Sequence, residues 1–142
     1  MPFDDTLFLK KQVDIMAALD ENQLRTMTPD IEHHTYKNGQ TVLMKGEITD
    51  QFFIIKTGRV VVLATINKEK TQVAELKAGD FFGEISFLES TSATATIRSL
   101  EDNTEILVIP GPSFRKLMQL RPDLEKALRQ KVADRKQQKV TP

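Results

Sequence analysis

Five glycines divide the middle of this chain into short stretches, and their spacing limits the possible folds more than any other feature. They are Gly39, Gly46, Gly58, Gly79 and Gly83, and the segments between them are rich in Val, Ile, Thr and Phe. Short strands separated by turn residues are typical of an antiparallel sandwich or barrel. The sequence therefore predicts a mainly β domain with helices at its two ends.

Seven strands can be placed in this region. They are predicted at residues 31–36, 41–44, 51–56, 59–66, 71–76, 93–99 and 104–109. The polar segment "NKEK", residues 67–70, has the length of a hairpin connection, so the strands on either side of it should pair.

Helical signals flank the β region. Asp20 followed by Gln23 forms a capping-box pattern, which predicts short helices over about residues 5–28. After residue 109, "PGP" ends the β pattern, and two helices are predicted over about residues 112–137, the second beginning at Pro122. The segment "KVADRKQQKV", residues 131–140, is polar and basic. We therefore expect this end of the helix to be solvated or frayed.

The second C-terminal helix has one apolar stripe. Leu124, Leu128 and Val132 follow one another at intervals of four residues, which places them on the same helical face. This face should pack against the rest of the domain.

Bulk properties narrow the classes of function. The 142 residues suit one domain, residues 1–142, and the formal net charge of zero predicts no general attraction to nucleic acid or anionic membranes. The chain has no cysteine, which excludes thiolate catalysis and cysteine-based zinc sites. It also has no signal-peptide pattern and no apolar run near the roughly 20 residues of a membrane span. We expect a soluble, cytoplasmic protein.

Catalytic and metal-binding patterns are not found. The two histidines, His33 and His34, are adjacent on a predicted strand, so their side chains should point to opposite faces and cannot share a metal ion. No phosphate-binding loop, nucleophile elbow or paired-histidine helix motif occurs. The sequence predicts a protein that is not an enzyme and that has no catalytic residue, metal site or cofactor.

The ordered motifs of the β region resemble those of the cyclic nucleotide-binding domain family, over roughly residues 7–135. The segment "YKNGQTVLMKGEITDQFFIIKTGRVVVL" is similar to the family's glycine-punctuated strands, and "LKAGDFFGEISFL" to the segment that enters its nucleotide cassette. The matching positions are Gly39, Gly46, Asp50, Phe53, Ile55, Gly58, Gly79, Asp80, Phe82, Gly83 and Glu84. The resemblance implies a β-roll or jelly-roll of about eight strands over about residues 31–109, with cAMP or cGMP as the possible ligand.

The resemblance also implies a ligand site. Gly83 precedes a predicted helical turn whose free N–H groups can face an anion. In the family, these amides hold the cyclic phosphate and the glutamate accepts a hydrogen bond from the ribose 2′-hydroxyl, which would give Glu84 the second role. The candidate ligand-binding residues are Phe82, Gly83, Glu84, Ile85, Ser86, Ser92, Ala93 and Thr94.

One expected residue is missing. The family's phosphate-binding arginine falls on Ala93, and the residues after it fit the pattern without a gap. Because losing one partner of a buried charge pair costs about 2–5 kcal/mol, a cyclic nucleotide should bind roughly 30- to 3,000-fold more weakly than to a member with the arginine.

Three interpretations remain open for this site. Another cation could compensate, either Arg98, which strand alternation directs away from Ala93, or a residue of the final helix. The pocket could instead take a different or less charged ligand, with Ser90, Thr91, Ser92 and Thr94 as a hydroxyl rim. It could also be empty, in a degenerate domain that acts as a protein-interaction adaptor.

The resemblance implies a non-enzymatic sensory module that signals by moving its C-terminal helices. A hinge near residues 110–114 and a lid carrying Leu124, Leu128 and Val132 would close over the ligand, and a protein effector would receive the signal. The chain ends shortly after the predicted lid, so we expect no helix-turn-helix domain and no direct nucleic-acid binding.

Overall fold

Two antiparallel sheets of four strands each form the centre of the structure. The computed structural model describes residues 5–89 and 92–140, without the side chains of residues 85–87 and 136–140. The strands are β1 (Glu32–Tyr36), β2 (Thr41–Leu43), β3 (Gln51–Thr57), β4 (Arg59–Ile66), β5 (Glu69–Lys77), β6 (Phe81–Phe82), β7 (Thr96–Ser99) and β8 (Thr104–Pro110). The first sheet has the order β1-β8-β3-β6, and the second has the order β2-β7-β4-β5. The predicted β-roll of about eight strands is confirmed.

Helices lie at both ends of the chain and between β6 and β7. They are α1 (Thr6–Gln12), α2 (Glu21–Arg25), α3 (Glu84–Glu89), α4 (Gly111–Leu120) and α5 (Pro122–Val140), with 3-10 turns at Asp14–Met16 and Thr28–Asp30. The predicted capping box begins α2, since the Asp20 carboxylate accepts from the Gln23 amide and the Gln23 side chain accepts from the Asp20 amide. Within the described ranges, no helix is both long and apolar enough to cross a membrane.

The β4–β5 hairpin is tighter than the sequence indicated. Only Asn67 and Lys68 form the turn, and both have positive φ, 53° and 69°. Two successive residues in this conformation are characteristic of the type I′ turn, whose twist matches that of the paired strands. The strands therefore extend to Ile66 and Glu69, which pair with each other.

Two other strands differ from the prediction. The two-residue strand Phe81–Phe82 was not predicted, because two residues are too few to show alternation, yet it pairs with Phe53 and Ile54 of β3. The strand predicted at residues 93–99 begins only at Thr96. Ala93 is held by backbone hydrogen bonds to Gly46 and Glu47 of the β2–β3 loop instead of by a strand ladder.

The first sheet separates two apolar clusters. Phe52 and Ile54 of β3 belong to a cluster shared with the helices, whereas Phe53 and Ile55 belong to a cluster between the sheets. Strand alternation produces this division, because successive side chains point to opposite faces.

The C-terminal helix is longer than predicted. It continues to Val140, so the end that was expected to be solvated or frayed is helical throughout residues 131–140. Leu124, Leu128 and Val132 are buried as the stripe predicted, and the first two join the helix-side cluster with Phe114 and Leu117.

Candidate functional site

A cavity of about 130 Å³ lies between the second sheet and the segment formed by β6 and the start of α3. Most of its wall is apolar. The strand residues that line it are Leu43, Val62, Val73, Ala74, Leu76, Phe82 and Ile97. A largely apolar cavity with few polar groups is the usual form of a small-molecule site, although typical sites have about 300–1,000 Å³.

The Gly83–Glu84 pair lies at one wall of this cavity. Gly83 has a φ of 84°, which is in the left-handed region that glycine adopts without strain. This conformation turns the chain from β6 directly into α3, which begins at Glu84. The N–H groups of the first helical turn have no partner within the helix, so they are available to an acceptor.

Ala93 lies between α3 and β7 and also lines the cavity. Its amide donates to the Glu47 carbonyl oxygen at 2.8 Å, and its own carbonyl accepts from the Gly46 amide at 2.9 Å. These bonds to the β2–β3 loop fix the backbone, and the side chain is buried. The position matched to the family's arginine therefore presents a methyl group to the cavity.

Other predicted site residues are placed differently. Thr94 lines the cavity, whereas Ser92 is exposed and is not among the lining residues. Ile85 and Ser86 have their backbone in α3, but their side chains lie outside the described part of the chain, as do Ser90 and Thr91 entirely.

A cation from α5 reaches the cavity, as one of the open interpretations allowed, although the sequence did not identify which residue of the final helix it would be. Arg135 Nη1 lies 2.8 Å from Glu84 Oε1, and the two side chains are 23% and 5% exposed. The guanidinium carbon of Arg135 is also 4.5 Å from the centroid of the Phe81 ring, a cation–π contact. Arg135 follows Val132 by three residues on the helical stripe, and that spacing was the available signal.

The cavity therefore has balanced charges. Among the described residues that line it, the charged side chains are Glu84 and Arg135, and they pair with each other. Arg98 does not line it: this residue pairs in register with Val61, whereas its neighbour Ile97 pairs with Val62 at the cavity wall. This placement agrees with the strand alternation expected for Arg98.

The predicted lid residues are buried without lining the cavity. Leu124, Leu128 and Val132 are buried, and none of them is a lining residue. They hold α5 against the domain, and Arg135, about one turn beyond Val132, is the part of α5 that meets the cavity.

The α4–α5 junction is fastened to the N-terminal helices. Arg121 donates to the Ala18 carbonyl oxygen at 3.2 Å and to Gln23 Oε1 at 3.1 Å. It also forms two hydrogen bonds with the Asp123 carboxylate, which lower the pKa of Asp123 and raise that of Arg121. The junction thus connects the C-terminal helices to the opposite end of the chain.

The two histidines lie in separate environments. His33 is half-buried, with Nε2 2.9 Å from Asp5 Oδ2 and Nδ1 2.7 Å from Glu105 Oε2. His34 contacts Glu32 at 3.0 Å. Across residues 5–89 and 92–140, no group of three or more His, Cys, Asp or Glu side chains is placed to bind a metal ion.

Comparison with known proteins matches both the motifs and the fold. The model of the family described as "Cyclic nucleotide-binding domain" matches residues 33–121. A cGMP-dependent protein kinase egl-4 of Caenorhabditis briggsae is 35% identical over 113 residues, which cover 78% of this chain but only 15% of the kinase.

Two solved structures show the same fold. The regulatory domain of Toxoplasma gondii PKA with cAMP superimposes with a TM-score of 0.81 at 21% identity, covering 94% of this chain and 49% of the other. The second is a regulatory subunit of a cAMP-independent protein kinase A from Trypanosoma brucei, as a triple mutant bound to cAMP in the A site. Its TM-score is 0.77 at 19% identity, covering 87% of this chain and 45% of the other.

Proposed function

The chain belongs to the cyclic nucleotide-binding domain family, and on that premise we propose that it is a regulatory module that binds cAMP or cGMP weakly and signals through its C-terminal helices. The observation that carries this proposal is the position of Gly83 and Glu84 at the wall of a mainly apolar cavity. The first-turn amides of α3 would meet the phosphate, and Glu84 would accept from the ribose 2′-hydroxyl.

Weak binding follows from the charges around the cavity. A cyclic phosphate carries a negative charge that must leave water, and such a charge is stabilised when a cation and directed donors meet it. Ala93 supplies only a methyl group, and Arg135 is engaged with Glu84. The helix terminus alone contributes about 0.3–1 kcal/mol toward an anion.

The contact between α3 and α5 supports the transmission step. Glu84 begins α3, and it contacts Arg135 of α5. A ligand that binds Glu84 would therefore alter a contact of the helix that would move. A ligand shifts this equilibrium only if its affinity differs between the two arrangements of α5. The moving helix would in turn alter a surface that a protein effector recognises.

Substitution of Ala93 tests the proposal most directly. We expect Ala93→Arg to bind cAMP or cGMP roughly 30- to 3,000-fold more tightly than the unmodified chain, as measured by calorimetric titration with each nucleotide. Ala93→Met fills similar space without charge and should give no such gain. Submicromolar binding by the unmodified chain that Ala93→Arg leaves unchanged would contradict the proposal.

The small cavity favours a second candidate function. At about 130 Å³, it is below the usual size of a ligand site. The domain would then have lost nucleotide binding and would work as an adaptor through protein contacts. This candidate predicts that neither the unmodified chain nor Ala93→Arg binds either nucleotide.

A further inference from the structure

Arg135 occupies the carboxylate of Glu84, which is the acceptor that the proposed ligand would use. The Glu84 carboxylate is almost completely buried, and a guanidinium nitrogen lies 2.8 Å from one of its oxygens. A buried carboxylate is costly unless a cation or donor compensates for its lost hydration, and here a side chain of the same protein does so.

A second contact fixes the position of Arg135. Its guanidinium carbon lies 4.5 Å from the centroid of the Phe81 ring, and Phe81 is itself buried. Phe81 stands next to Phe82, which lines the cavity. Arg135 is thus held at the cavity wall by an acceptor on α3 and by an aromatic face on β6.

These contacts connect α5 to β6 and to the start of α3. Val132 is buried one turn before Arg135, and Leu128 and Leu124 are buried further along the same stripe. The position of α5 therefore depends on the apolar stripe and, at its cavity end, on the pair between Arg135 and Glu84.

We propose that Arg135 is an internal competitor for the ligand site, occupying the Glu84 acceptor until a ribose hydroxyl displaces it. The proposal rests on the function proposed above, since it assigns the displaced contact to a cyclic nucleotide. A ribose hydroxyl that takes the place of Arg135 on Glu84 Oε1 leaves the guanidinium without this acceptor, and the end of α5 is then released from α3. Arg135 accordingly lowers the affinity and links occupancy to the position of α5.

The first test needs no nucleotide. Hydrogen–deuterium exchange of the ligand-free chain would compare the unmodified protein with Arg135→Met and Arg135→Gln, using Arg129→Met as the matched control. Arg129 also belongs to α5 but pairs with Glu125 on the exposed side of the helix. We expect roughly 5- to 30-fold faster exchange around Val132 and at the start of α3 in both Arg135 variants only. Exchange rates equal to those of the control would overturn the proposal.

The second test measures affinity. Calorimetric titration with cAMP and cGMP should show roughly 5- to 30-fold tighter binding by Arg135→Met, intermediate binding by Arg135→Lys and no change in Arg129→Met. Weaker or unchanged binding by Arg135→Met would overturn the proposal, and weaker binding would identify Arg135 as a ligand contact.

The two tests separate the two proposals. If no variant binds either nucleotide, the proposed function and the competitive role of Arg135 both fail, and faster exchange would then show a purely structural contact. If nucleotides bind but the Arg135 variants match the control in both tests, only the competitor proposal fails.

Discussion

The ring of Phe53 lies so close to Gly83 that a β-carbon on the glycine would be 2.7 Å from Phe53 Cδ1. Gly83→Ala should therefore destabilise the chain in two ways. The left-handed backbone costs about 1–2 kcal/mol for a residue with a side chain, and the contact with Phe53 adds about 1–3 kcal/mol. Urea unfolding would measure the loss. Gly39 also has a positive φ, but its β-carbon would meet nothing within 4 Å. Gly39→Ala should lose only the backbone part, and equal losses would contradict the prediction.

The proposed ribose contact of Glu84 can be tested by removing the 2′-hydroxyl from the ligand and measuring the change in affinity. A hydrogen bond to a charged group is worth about 1.5–3 kcal/mol. The affinity for 2′-deoxy-cAMP should therefore be lower than that for cAMP by at least about tenfold. Glu84→Gln should reduce this difference, whereas Glu89→Gln, at the exposed end of the same helix, should retain it. Titration of each variant with both nucleotides gives the ratio of its affinity for cAMP to its affinity for 2′-deoxy-cAMP. An unchanged ratio in Glu84→Gln would place the 2′-hydroxyl elsewhere.

The packing of α5 predicts a large stability change at Leu128. Its side chain is fully buried in the helix-side cluster. Leu128→Ala should therefore lower the free energy of unfolding by about 2–5 kcal/mol, which a denaturant titration would measure. Leu120→Ala makes the same chemical change at a residue that is 50% exposed, and it should have a much smaller effect. Similar midpoints for the two variants would mean that the stripe does not hold α5.

Tyr36 provides a pH-dependent probe of the region around the β2–β3 loop. Burial raises the pKa of this phenol above its usual 10.0, and the negative charge of Glu47 raises it further. Because the folded state binds this proton more tightly, the contribution of Tyr36 to stability is complete below pH 10 and is lost as the pH rises through the raised pKa.

Phenolate absorbance would measure this titration without interference, since Tyr36 is the only tyrosine and the chain has no tryptophan. Tyr36 should titrate at higher pH in the folded chain than in urea. Glu47→Gln should make this difference in pKa smaller, because it removes the negative charge of Glu47. Glu69→Gln, in the β4–β5 hairpin, serves as the control. Identical curves for the folded and unfolded chains would contradict the prediction.

Local signals in the sequence were sufficient for most of the fold. The Asp20 capping box, the start of α5 at Pro122 and the buried stripe of α5 each depend on residues a few positions apart, and each was predicted. The two-residue strand Phe81–Phe82 was not predicted, because it is defined by its pairing with β3, nearly thirty residues earlier.

The site was only partly predictable for the same reason. Gly83, Glu84 and Ala93 lie in one short segment, so their relation could be read from spacing. Arg135 meets Glu84 from about fifty residues away, and its surroundings in the sequence are polar. Neighbouring residues therefore suggested a solvated end, whereas the helical stripe, continued by one more turn, leads to the cavity.

The division of the first sheet into two faces has a consequence for protein engineering. Phe53, Ile55, Ile106 and Val108 face the cluster between the sheets, while Phe52, Ile54, Leu107 and Ile109 face the helices. Phe53 stacks on Phe82, which lines the cavity. A combinatorial library restricted to the first set would therefore vary the packing behind the cavity wall while it leaves the helix-packing residues of the same strands unaltered. The packing behind the cavity wall and the packing of the helices can thus be varied in separate rounds, on alternate residues of the same two strands.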